Sequence, residues 1–146
     1  MDIDDYEKLI ISTVDIEIET SSISESRKTL LTLHERREIL KDIQSRLERD
    51  IRSVEVDYLN KRTFIREEFS STNFEKSSKM KKMLKGGTSS PARRRAKAMK
   101  NLEKERNSKI EGYRDMKVNV DDLIEQIEEI MVDVYSSIKS LLGNNY

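Results

Sequence analysis

The chain has no cysteine and no tryptophan, and only one proline, one histidine and four glycines in 146 residues. Without cysteine there is no disulfide framework, no thiolate metal site and no cysteine nucleophile. Nothing in the sequence calls for an oxidising compartment, and a cytoplasmic location is expected. Long apolar runs are missing too: none approaches the roughly 20 residues that a membrane span requires. Asp2, Asp4, Asp5 and Glu7 give the first residues the wrong charge for a signal peptide. No transmembrane segment is therefore expected. Overall charge of one sign is also lacking, since 28 basic residues balance 28 acidic ones.

What is present is charge in quantity, 38% of the residues against 35% hydrophobic. That is too polar for a compact globule of this length, yet paired helices tolerate it because each buries only a stripe of about two or three positions in seven. A disordered chain of such polarity carries net charge and few branched aliphatics. Here the net charge is zero and Ile, Leu and Val recur at regular steps.

Those steps define two arms. Leu33, Leu40, Ile43, Leu47, Ile51, Val54, Tyr58, Ile65 and Phe69 recur at threes and fours or sums of these, as do Ala96, Met99, Ile110, Tyr113, Val120, Ile124, Ile127, Met131, Val134, Ile138 and Leu141. Glu103, Arg106 and Lys117 interrupt the second seam. Ser22 with Glu25 forms a capping box for a first arm over residues 23–85. Pro91 starts a second over 91–142, and Gly143 with Asn144 and Asn145 stops it. Gly86, Gly87, Thr88, Ser89, Ser90 and Pro91 make a hinge over 86–91, because two glycines cost about 1 kcal/mol each in a helix and the residue before proline avoids helical geometry.

The expected fold is all-α: one elongated domain over 1–146, a long antiparallel coiled-coil helical hairpin with a short N-terminal helix at its open end. Centred on the hinge, one register pairs Leu40 with Ile138, Leu47 with Met131, Ile51 with Ile127, Val54 with Ile124, Tyr58 with Val120 and Ile65 with Tyr113. It also sets Ser70, Ser71 and Thr72 opposite Arg106, Asn107 and Ser108, predicting a soft joint near 70–72 with Gly112 as a second weak point. Val14, Ile16 and Ile18 alternate with acids as a strand would, but with nothing to pair with they are read as part of a helix over 4–19. That helix is expected to pack near Leu30, Leu31 and Leu141.

Little in the chain points to a reaction. His34 has neither a second imidazole nor a cysteine to complete a metal site and reads as a solvated helix residue. Asp121, Asp122, Glu125, Glu128, Glu129 and Asp133 lack both the Glu-x-x-His pattern of di-metal bundles and the glycine-turned loop of a calcium site, so they read as an acidic face. The hinge glycines lack the Gly-Lys-Ser/Thr ending of a phosphate loop. No catalytic residue, metal or cofactor is expected.

The hinge lies in a run from Lys76 to Lys100 with ten basic residues and no acidic one: Lys76, Lys79, Lys81, Lys82, Lys85, Arg93, Arg94, Arg95, Lys97 and Lys100. Residues 1–26 hold eight acids against Lys8 alone, so the hairpin should be a long dipole. Such a basic tip suits phosphates through counterion release and forked arginine contacts. The expected function is a non-enzymatic binding module whose tip contacts the backbone of RNA or DNA. Phe74 is the one aromatic near it, so recognition should be independent of sequence. The alternative is a scaffold or assembly subunit whose tip meets an acidic protein surface and whose open end and seam dock a partner or another copy. A third possibility rests Met80, Met83 and Leu84 on anionic lipid, but that apolar face is short.

Overall fold

The computed structural model describes residues 1–68 and 91–143, and all regular structure among them is helical. Helix α1 is Ile3–Val14, α2 is Ile23–Glu68 and α3 is Pro91–Gly143. Both long helices start where the sequence places them. Ser22 Oγ accepts the Glu25 N–H at 3.1 Å, and Pro91 occupies the first helical position, where its missing N–H costs nothing. The hinge residues 86–90, the end of the first arm with its joint at 70–72, and Asn144 and Asn145 lie outside the described residues.

Helix α1 starts earlier and stops sooner than the periodicity suggests. Asp2 caps it reciprocally with Asp5: the Asp5 N–H donates to Asp2 Oδ1 at 2.9 Å, and the Asp2 N–H to Asp5 Oδ2 at 3.4 Å. The helix ends at Val14 rather than Glu19. Past that point β-branched residues alternate with acids, a poor helical sequence whose negative charges also face the wrong end of the helix dipole. Residues 15–20 are a non-helical strap. Ile16 packs against the core while Asp15 and Glu17 face solvent. Thr29, itself buried, clips the strap twice: its Oγ1 accepts the Glu19 N–H at 3.1 Å and donates to the Glu19 carbonyl at 2.8 Å.

The chain divides into two compact units, Met1–Asp50 with Gly112–Tyr146, and Ile51–Glu111. In the first, one core draws on all three helices: Tyr6 and Ile10 from α1, Leu33, Leu40, Ile43 and Leu47 from α2, and Met116, Val120, Ile127, Met131 and Val134 from α3. The four α2 residues are at most 2% exposed. Truncating any of them to alanine should cost about 2–5 kcal/mol.

Of the residues expected beside the N-terminal helix, Leu30 packs against the core that α1 enters through Tyr6 and Ile10. The Tyr6 phenol donates to Asp50, the Tyr6 ring meets Tyr113 edge to face at 6.2 Å, and the Tyr113 hydroxyl donates to the Met1 carbonyl at 3.2 Å. Toward the other end, Arg36 reaches the Ser12 carbonyl at 3.5 Å. A tyrosine buries well only where its ring has apolar neighbours and its hydroxyl an acceptor, and Asp50 with Tyr113 supplies both. Leu31 is left 62% exposed. Gly112 lies within helix α3, where the first unit resumes. A side chain there would collide with the Ile3 methyl, so its lack of one admits the start of α1.

The predicted register is also displaced. In the first unit the Gln44 amide donates to Asp121, and Lys117 meets Glu48 at 3.2 Å. Four residues forward on α2 is four back on α3, and in both contacts the residue numbers add to 165 rather than 178. The expected partners of Leu40 and Leu47, Ile138 and Met131, are thus about 13 residues too far along α3. In the second unit Tyr58, expected against Val120, carries Arg106 over its ring at 5.1 Å, and Arg106 binds Glu55 through two nitrogens at 2.5 and 2.9 Å. The shift is close to two heptads, and a slide by whole heptads leaves apolar residues facing apolar residues, so the seam alone does not distinguish the two registers. Leu102 and Met116 are buried members outside the expected spacing, and Ala96, expected in the seam, is exposed.

Candidate nucleic-acid interface

Of the ten predicted contact residues, Lys76, Lys79, Lys81, Lys82 and Lys85 lie outside the described residues. The other five sit on the first three turns of α3, in the second unit. Arg93, Arg95, Lys97 and Lys100 are exposed, and Arg94 is half-buried. Successive residues turn by about 100° around a helix, which separates these five into different faces. Arg93, Lys97 and Lys100 fall on one stripe, whereas Arg95 points roughly 200° away from Arg93.

Lys104, also exposed, continues the stripe. It escaped the sequence reading because the basic run was bounded by its freedom from acids, and Glu103 closed it. The helical step from Lys97 to Lys104, two full turns, was the signal that would have found it. The stripe faces away from the buried Leu102 and the half-buried Ala98 and Arg106 on the same helix.

Electrostatics within the second unit divide along α3. Arg106 is bound to Glu55, which holds its guanidinium above the usual value chiefly through that hydrogen bond. Lys109 pairs with Glu105 and Lys61 with Asp57, each at 3.1 Å. Among the described residues, no carboxylate pairs with Lys97, Lys100 or Lys104. No acid occupies the first turn of α3. Cations at that end oppose the helix dipole, at a cost of a few tenths of a kcal/mol each, and their field adds to the dipole's in favouring an anion.

Elsewhere the side chains serve the fold. His34 is half-buried, and its Nδ1 accepts from Arg37 at 3.2 Å. Asp121 receives the Gln44 amide. Among the described residues no three histidine, aspartate or glutamate side chains are grouped to hold a metal ion, and no helix is long and apolar enough to cross a membrane. A groove between α1 and α3, lined by Ile10, Ile11, Met116 and Leu123 with Glu7 and Asp122, is open to solvent. Neither family models, curated proteins nor solved structures give a match to this chain.

Proposed function

We propose that this protein is a non-enzymatic binding module built as an antiparallel coiled-coil hairpin, and that its basic segment, Lys76 to Lys100, contacts the phosphate backbone of a nucleic acid. The observation that carries the reading is the contrast in pairing. Cations further along the second unit, Arg106, Lys109 and Lys61, are neutralised by carboxylates, whereas Lys97 and Lys100 are exposed with none among the described residues. Uncompensated like charges on neighbouring turns bring no folding benefit. A polyanion that releases its counterions gives them one. The opposed stepping of the α2 and α3 contacts within the first unit supports the hairpin.

A mobility-shift titration across salt tests the reading. The chain should bind RNA and DNA of unrelated sequence with an affinity that falls steeply between 50 and 200 mM salt. A variant with Lys81, Lys82, Arg93, Arg94 and Arg95 neutralised should lose most of it. Negligible binding by the unaltered chain at low salt would end the proposal.

A second reading, an assembly subunit, is favoured by a different observation. Leu31, Val132, Tyr135 and Leu142 of the first unit stand 43–62% exposed, on faces their own core does not use. Sedimentation showing a dimer or larger species, dissociated by Val132→Glu or Tyr135→Glu, would support it; a monomer at all concentrations would remove it.

A further inference from the structure

Resting on the nucleic-acid reading, we infer that the outer face of α3 from Arg93 to Lys104 is a track for one backbone strand of a double-stranded nucleic acid, with Lys104 as its far end. Arg93, Lys97, Lys100 and Lys104 follow one another at steps of four, three and four residues. On a helix that confines them to a sector about 60° wide and about 16 Å long. A duplex strand presents one phosphate per 3.4 Å of its axis, so the stripe spans about five phosphates.

The four side chains are exposed, and Lys97, Lys100 and Lys104 have no carboxylate partner among the described residues. The stripe carries no ring. Single strands are held by stacking bases on aromatic side chains, and a row of fixed cations without one favours a stiff, regularly spaced backbone instead. Among the described residues of this unit the exposed aromatic, Phe64, belongs to α2. Beyond Lys104 the outer face loses its charge at Asn107 and turns acidic at Glu111, which ends the track.

The test is fluorescence anisotropy of the full chain with a 25-base-pair duplex and with one of its strands alone, between 50 and 200 mM salt. It compares the unaltered chain, Lys97→Gln/Lys100→Gln/Lys104→Gln, and a control that removes as many charges from the first unit, Lys28→Gln/Lys41→Gln/Lys139→Gln. Glutamine and lysine have nearly equal helix propensity and all six positions are exposed, so helix content should be unchanged by circular dichroism.

The stripe variant should bind the duplex at least about tenfold more weakly at 50 mM salt. Its slope of log affinity against log salt should be shallower by about 3, at roughly 0.9 per lost phosphate contact. The control should keep the original slope. If the unaltered chain binds but the stripe variant keeps its affinity and slope, the track is refuted while a tip formed by the other basic residues survives. Preference for the single strand, abolished by Phe64→Ala, would also refute it. Failure of the unaltered chain to bind either probe would remove the nucleic-acid reading itself.

Discussion

Tyr6 shows how much one side chain decides. Its ring is 1% exposed, its hydroxyl donates to Asp50, and burial followed by that hydrogen bond and charge pushes its pKa well above the ordinary phenol range. The folded chain therefore holds the phenolic proton more tightly than the unfolded chain does. The resulting stability is fully present below the unfolded value of about 10 and is lost as pH rises above it. Tyr6→Phe should cost about 1–3 kcal/mol at neutral pH, because Asp50 is left half-buried without its donor. It should also flatten the loss of stability above pH 10, as urea midpoints measured from pH 7 to 11 would show. An equally steep alkaline limb in the variant would mean that another group titrates there. Arg106 and Lys117 teach a related lesson: in the sequence they are breaks in a seam, and in the structure each finds a glutamate on α2. Exposed pairs of this kind give only about 0–1 kcal/mol each, so their part is to select among registers that apolar packing leaves nearly equal.

Among the elements, α1 is the one whose position packing decided. Its amphipathic pattern marks it as a helix, but the place it docks depends on Gly112, far along the chain on α3. Gly112→Ala should be nearly neutral, since a gain of about 1 kcal/mol in helix propensity offsets the displacement of the flexible end of Ile3. Gly112→Leu should dislodge α1 while leaving α3 helical. Tyr6 ring signals in NMR spectra would move to exposed values with little change in far-UV circular dichroism. Unchanged Tyr6 signals would mean that α1 does not depend on that close approach. The strap after α1 explains why the alternation of Val14, Ile16 and Ile18 looked like a strand. The backbone leaves the helix there, with Val14 and Ile16 against the core, but it is tied down by Thr29 rather than by a neighbouring strand.

At the scale of the whole molecule, apolar burial is uneven. The first unit has a core drawn from three helices, whereas the buried apolar side chains described in the second are Leu102 and Ile110. Local opening is easiest where few apolar contacts must be broken. Hydrogen exchange should therefore be slowest over residues 33–47 and 116–134 and fastest, among the helices, over 55–68 and 91–101. Uniform protection along both long helices would contradict this. The same unevenness leaves the charge-rich segment of α3 with little packing to protect, so neutralising Lys97, Lys100 and Lys104 should alter binding rather than folding.

The sequence by itself determined that the chain is helical, where α2 and α3 begin, and most of the residues they bury. Caps, proline and three-four periodicity act within a few residues of where they occur, and such signals can be read locally. Only the tertiary structure decided the register of α2 against α3, the docking of α1, and that Lys97, Lys100 and Lys104 have no carboxylate partner among the described residues. Each of these is a comparison between arrangements that bury nearly the same apolar side chains. The choice falls to single long-range contacts, Gln44 with Asp121, Glu48 with Lys117, Tyr6 with Asp50 and Ile3 with Gly112, whose partners no local pattern announces.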